Sequence, residues 1–410
     1  SIRRQRQMCI RDRPHERGQF HTAEMALASD GRILGIKDVF LQDSGAYNPY
    51  GLTVPLNTQC TLLGPYVVPH YSSEFTSVFT NKTTVCPYRG AGRQPGVFVV
   101  ERLLDLAAHQ LGIDPIEIRR RNLIQPDQFP WCNEIMYQDF TQLTYDSGNY
   151  EAVLNHARDL IGWDAFQAEA AQLRAAGRLI GIGLVMYVEG SGIGPYEGAR
   201  VQIESTGKVT VVTGIGSQGQ GHYTIFAQIA AELLGLKIEE IYVSTGDSGQ
   251  FNWGTGTFAS RGAVVAGSAV HAAVCKVREK AIRLAAQTLE VREEWIELSD
   301  GFAAVRDQPE RRISLAALAA QANPLRGAVH PDTEPGLEAT AYFGPAMGAT
   351  SSGAHAMIVE VDPDTFNLAI QRYVVVHDCG RILNPLIVEG QIHGGVAQGI
   401  GNAFFEQLIY

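Results

Sequence analysis

Residues 209–235, VTVVTGIGSQGQGHYTIFAQIAAELLG, constrain the fold more than any other stretch of this chain. A β-branched run meets a glycine-rich turn, and from Tyr223 to Leu234 apolar residues then recur at helical spacing. Valine and threonine favour a pleated strand, and the glycines permit positive φ in the turn. The helix that follows must lay its apolar face back on a sheet. Gly214-Ile215-Gly216-Ser217-Gln218-Gly219 reads as G-x-G-x-x-G, with Glu239 and Glu240 about twenty residues on, the outline of a dinucleotide-binding turn. Two features argue against a nicotinamide enzyme. Residues 199–214 read as a hairpin, so the strand before the turn is its second arm, whereas a dinucleotide fold needs its first strand in a parallel βαβ unit. The turn also continues through Gln220-Gly221-His222, whose amides suit a polar heterocycle as well as a phosphate. The residues alone leave three readings open: a tight connection, a dinucleotide site, or the site of another anionic cofactor.

The rest of the chain mixes hairpins and helices. Residues 20–47 alternate apolar and polar side chains around Asp30-Gly31, a hairpin signature, and 73–85 read as a further strand. The turn CPYRGAGRQPG (86–96) leads into helical spacing over 97–112, and Asp114-Pro115 with Glu117 starts another helix. Residues 125–150 are polar and turn-rich, the expected domain boundary. Residues 149–177 read as helix, 179–190 as strand, 241–245 as strand and 355–380 as hairpin. Without strict βαβ alternation, the expected fold class is α+β.

At 410 residues the chain is long enough for two domains or more. It holds no apolar run of the roughly 18 residues that a membrane span needs. A net charge of -10 argues against nucleic acid as a partner, though not against a local anion site built from backbone N–H groups. Six scattered cysteines, none in C-x-x-C, suggest neither zinc nor a cysteine-held iron–sulfur cluster, and fit a cytoplasmic rather than a secreted protein. Residues 1–13, SIRRQRQMCIRDR, are unlike the acidic remainder and are set aside as a non-native leader. The other end, GNAFFEQLIY, stops inside an apolar pattern, so a fragment is expected. The expected domains are 14–150 and 151–410.

Four stretches in order, 87–124, 216–235, 254–270 and 376–407, resemble the molybdopterin-binding large subunit of the xanthine dehydrogenase/aldehyde oxidase family, including its carbon monoxide dehydrogenase-like branch. The resemblance runs from about Glu16 to Tyr410 and implies two molybdenum-cofactor-binding domains of mixed sheets and helices, both incomplete. It implies a molybdenum–molybdopterin cofactor, the phosphate or the cytosine dinucleotide form being left open, with no metal ligand from the protein. Gln218, Gly219 and Gln220 would approach the cofactor. Ala259, Ser260, Arg261 and Gly262 would wrap the pterin and its phosphates, and Cys379 and Gln391 would lie near it. Arg89 would orient the substrate, an aldehyde or an N-heterocycle hydroxylated at carbon with oxygen from water. Electrons would pass to iron–sulfur clusters and FAD on partner subunits or domains. Arg119 to Arg121 are equally readable as a cofactor contact or a solvated basic face, and His393 as a phosphate contact or a core histidine. The copper-containing carbon monoxide dehydrogenases place a cysteine after the matching arginine; here stands Gly90, which argues against carbon monoxide as substrate. The family's catalytic glutamate falls beyond Tyr410, so Glu406 is not cast in that role. The resemblance also implies a G-G-x-F-G segment upstream of the first match, with a glutamine near the metal, and this chain lacks it.

Overall fold

A computed structural model describes residues 18–48, 50–137, 139–323 and 334–406; the expected leader, 1–13, lies outside them. The chain forms two compact units. One holds the residues up to Glu189, Thr350–Arg381 and those from Ile392 on; the other holds Gly190–Ala349 and Ile382–Gln391.

The first unit opens on β1 (Gly18–Leu27) and β2 (Ile33–Asp43), antiparallel across the Asp30-Gly31 turn. After α1 (Thr53–Thr61), β3 (Tyr71–Val78) joins β2 in parallel, completing a sheet in the order β1-β2-β3. Helix α2 (Arg93–Leu111) starts four residues before its apolar spacing does, because Gly92 at φ 100° turns the chain directly into it. A Cβ on Gly96 would stand 2.6 Å from the Thr58 carbonyl oxygen, so α1 and α2 meet at backbone contact. Asp114 starts α3 (Pro115–Arg120) by accepting from the Ile116 and Glu117 N–H groups at 2.8 and 3.0 Å. Residues 126–145 form a short turn and the hairpin β4 (Trp131–Met136) with β5 (Gln142–Tyr145). The helical run that follows is two helices, α4 (Tyr150–Ile161) and α5 (Trp163–Ala175), because Gly162 takes φ 74° between them. Strand β6 (Leu179–Ser191) leads out of this unit.

Arg119 is neither of the things its sequence context suggests. It is fully buried, with Nε on Glu101 Oε2 at 2.8 Å and Nη2 on Asp105 at 2.9 Å, while Tyr66 donates to the other Glu101 oxygen. Arg120 and Arg121 close on Glu117. Arg119 thus ties α3 to α2, while Arg120 also donates to Asn155 on the next helix and Arg121 to the Asp30 carbonyl.

In the second unit, β7 (Glu197–Ile203) and β8 (Val209–Thr213) form the expected hairpin. Helix α6 (His222–Leu234) then crosses to β9 (Ile241–Thr245), which pairs with β8 in parallel. The strand before the glycine turn is thus both a hairpin arm and the first strand of a βαβ unit, which corrects the sequence argument that it is only the former. The helix α7 (Ser268–Leu289) buries its alanine and valine stripe (Ala269, Val270, Ala273, Val274, Val277, Ala281) against β7 and β13 (Glu338–Phe343). The sheet runs β13-β7-β8-β9, and a small sheet β10 (Ile296–Ser299), β11 (Phe302–Val305), β12 (Gln308–Ser314) leads into α8 (Leu315–Ala322).

The chain then returns as β14 (Ala349–Val361) and β15 (Leu368–Asp378), an antiparallel pair that completes the first unit's sheet β15-β14-β6. It ends in α9 (Pro385–Phe404), started by Asn384, which accepts from the Ile387 N–H. The whole is a mixed α+β protein. No helix among the described residues is long and apolar enough to cross a membrane.

Candidate functional site

The Gly214 turn is tight on one side and open on the other. A Cβ at Gly214 would lie 1.6 Å from the Trp253 carbonyl oxygen, so turn and loop pack backbone to backbone. A Cβ at Gly216 or Gly219 would meet nothing within 4 Å. Gln220 folds back so that its Oε1 accepts from the Gln218 N–H at 2.6 Å, which leaves its Nε2 to donate elsewhere. Gly219 and Gly221 take φ 96° and 82°, and α6 starts at Gly221 with no side-chain cap. Its first N–H groups therefore lack partners within the helix and carry the positive end of its dipole. Glu239 and Glu240 stand before β9, at the opposite end of the sheet from the turn, since Val209 pairs with Ile241. Five residues of strand, roughly 15 Å, keep them from any ribose held at the turn.

The second loop, 254–262, is strained. Ala259 and Ser260 both take positive φ, 49° and 50°, where residues with a Cβ are uncommon. Their carbonyls share the Gly192 N–H. Arg261 follows, with 1% of its surface exposed. Its guanidinium turns into the protein: Nη1 on Glu197 and the Gly256 carbonyl, Nη2 on the Pro195 carbonyl, Nε on the Ile193 carbonyl at 3.1 Å. The phosphate contact expected of this side chain is thus not how it is spent; it braces the strained loop. Gly262 is needed because the His222 ring fills the space a Cβ would take, with Nε2 at 2.3 Å. A six-residue π-turn, Gly262–Gly267, then leads into α7, again without a side-chain cap.

The first unit carries a loop of similar build. Gly90, Ala91 and Gly92 all take positive φ, 88°, 51° and 100°, and Arg93 is buried behind them. Arg93 returns Nη1 to the Gly90 carbonyl at 3.1 Å, donates from Nη2 to the Tyr137 hydroxyl at 2.5 Å and lies 3.8 Å from Glu189. In both loops a buried arginine directly after the left-handed residues closes onto a preceding glycine carbonyl and a carboxylate. Arg89 is exposed and donates to the Gly394 carbonyl on α9. Cys379, just past β15 in the same unit, is exposed; desolvation and then the Asp378 charge push its thiol up. Gln391 and His393 are exposed on α9.

The second unit also holds buried polar atoms that lack partners: Thr213 Oγ1 at the end of β8, Thr245 Oγ1 at the end of β9, Thr255 Oγ1, Glu197 Oε2 and His222 Nδ1. Burial holds the His222 imidazole below its ordinary value, toward the neutral form. Unpaired buried polar atoms are costly, and here they gather around two uncapped helix starts. The group that a bound pterin phosphate would need, backbone N–H donors with hydroxyl and amide partners, is present. Glu197, Arg93 and the three threonines escaped the sequence reading. Glu197 precedes the hairpin expected over 199–214, beside Gly198 and Ala199, and no local pattern marks it.

This fold, with glycine loops opening onto uncapped helices, is that of the molybdopterin cofactor-binding domains, whose two family models match residues 1–123 and 156–410. The chain belongs to the molybdopterin-binding large subunits of the xanthine dehydrogenase/carbon monoxide dehydrogenase type. It is 37% identical to the nicotine 6-hydroxylase large subunit of Paenarthrobacter nicotinovorans, over 97% of this chain and 50% of that protein. It is 34% identical to the carbon monoxide dehydrogenase large chain of Hydrogenophaga pseudoflava, over 94% and 49%. Quinoline 2-oxidoreductase from Pseudomonas putida 86 superposes with a TM-score of 0.89 at 36% identity, over 99% of this chain and 52% of that one. The chain therefore spans about half the length of the relatives it matches. The family models divide around the polar stretch 124–155, whereas the compact units divide after Glu189, where β6 pairs with β14.

Proposed function

We propose that this chain is part of the catalytic subunit of a molybdenum hydroxylase that oxidises an N-heterocycle or an aldehyde at carbon, with oxygen from water. The observation that carries it is the set of unpartnered buried polar atoms around the uncapped starts of α6 and of the π-turn Gly262–Gly267 that leads into α7. When bound, the molybdenum–pterin group supplies the two-electron oxidation. Gly219 and Gln220 hold it by backbone N–H groups and by the Gln220 Nε2, and Gln218, whose N–H fixes the Gln220 side chain, lies beside it. Ala259, Ser260 and Gly262 offer backbone donors, and Arg261 keeps that loop in shape. Cys379 and Gln391 approach the pterin. Arg89 orients the substrate and steadies negative charge that develops on it. Relatives named for nicotine and quinoline, both N-heterocycles, support the heterocycle as substrate. Gly90, on a backbone at φ 88°, stands where the copper-containing enzymes place a cysteine, which supports the reading against carbon monoxide. The cytosine dinucleotide form of the pterin, and iron–sulfur and FAD partner subunits in the cytoplasm, complete the proposal.

Metal and pterin analysis of the full-length protein tests it, after expression with its neighbouring subunits in a host that makes the cofactor. Molybdenum and released pterin near one per large subunit are expected. Folded protein with neither, in such a host, sinks the reading.

A further inference from the structure

A buried chain of polar side chains runs from β2 to the loop that carries Arg89. Asp38, with no exposed surface, holds His21 Nδ1 at 3.0 Å from each of its oxygens. His21 Nε2 lies 2.9 Å from Gln19 Oε1, and Gln19 Nε2 donates to Gln42 Oε1 at 2.6 Å and to Thr58 Oγ1 at 2.9 Å. Thr58 then donates to the Gly92 carbonyl at 2.7 Å, beside the Asn57 bond to the Ala91 carbonyl at 2.9 Å.

The directions of these bonds follow from their far end. Gln42 Nε2 donates to the Asp43 carbonyl at 2.6 Å, so its oxygen must face Gln19. Gln19 must meet that oxygen with its NH2, which turns its own oxygen to His21. Both ring nitrogens of His21 thus face oxygens, those of the Asp38 carboxylate and of the Gln19 amide. His21 and Asp38 are a close pair, the ring stacked on Phe40 at 4.5 Å between centroids.

We infer that the His21–Asp38 pair is a positioning element for the substrate loop: through Gln19 and Thr58 it holds the Gly92 carbonyl, and with it the left-handed run Gly90–Gly92 that sets where Arg89 points. The inference rests on the reading of Arg89 as the substrate-facing residue. Three successive positive-φ residues do not hold such a shape by local preference. Their carbonyls need fixed donors, and Thr58 is fixed in turn by the Gln19 amide that His21, held by Asp38, orients.

The experiment is hydrogen exchange, read by mass spectrometry on peptides covering residues 88–94, in the assembled full-length enzyme, together with steady-state kinetics. Thr58→Val removes only the hydroxyl. It is expected to speed exchange at the Ala91 and Arg93 amides at least tenfold, to raise KM roughly fivefold with kcat within twofold, and to leave the start of α6 unchanged. Thr58→Ser restores both. His21→Phe with Asp38→Asn, which breaks the far end, is expected to loosen the same peptides. Wild-type exchange there in Thr58→Val overturns the inference, as does a loop that responds to Thr58 but not to the His21 and Asp38 pair of changes. A loosened loop with unchanged KM, where Arg89→Ala raises KM, also overturns it. If Arg89→Ala leaves both kcat and KM unmoved as well, the substrate reading of Arg89 fails while the relay stands.

Discussion

Arg261 and Glu197 form an ion pair in which neither side chain exposes any surface. The pair joins the strained 254–262 loop to the first strand of the central hairpin, 64 residues earlier. Removing one partner strands the other charge in the interior, which costs about 3–5 kcal/mol. Glu197→Ala is therefore expected to lower the thermal midpoint by roughly 6–15 °C. Pterin content should fall with it, as the loop loses its brace. Scanning calorimetry with pterin analysis checks this, and a midpoint shift of a degree or less contradicts it.

Arg89 should behave in the opposite way. It is exposed and makes one bond, to a helix carbonyl. Arg89→Gln is expected to change stability by no more than about 0.5 kcal/mol. In the holoenzyme it should lower kcat/KM by about 10²–10³, the usual loss of a donor that meets developing charge. Equal turnover in variant and wild type removes Arg89 from the site.

Two glycines of one turn separate packing from binding. Gly214→Ala drives a methyl into the Trp253 backbone and is expected to cost more than about 4 kcal/mol or to prevent folding. Gly216→Ala meets only open space, so it should fold within about 1 kcal/mol of wild type. Its methyl would occupy room assigned to the cofactor, so its pterin content should fall. Soluble yield, melting and pterin content together read this out; full pterin loading of Gly216→Ala puts the cofactor elsewhere.

His355 makes stability depend on pH. Burial, with the neighbouring His377 charge, holds its imidazole down to about 4, and the Tyr373 hydroxyl lies on Nδ1 at 2.8 Å. The unfolded chain takes up this proton from about pH 6.5 downward, whereas the folded chain resists until about 4. The contribution is whole above 6.5 and is lost as pH falls through that window, up to about 3 kcal/mol for 2.5 units. His355→Gln should lose less stability between pH 7.5 and 4.5 than wild type, by denaturant melts at each pH. An identical loss in both assigns the acid sensitivity to other groups.

Much of the fold is legible in the sequence because its signals are local. The Asp30-Gly31 hairpin, the Asp114 cap and the Tyr223–Leu234 helix each rest on periodicity or on a cap a few residues away. The glycine loops and their family resemblance are legible for the same reason: glycine at a positive-φ position is a demand of the backbone itself. What tertiary structure alone decided is which groups meet. Whether β9 would lie parallel to β8, what Arg261 would pair with, and where the His21 chain would end all depend on partners 32 to 64 residues apart, from Val209 with Ile241 to Glu197 with Arg261. A buried charge must find its partner through space, and no local pattern along the chain records which one it finds.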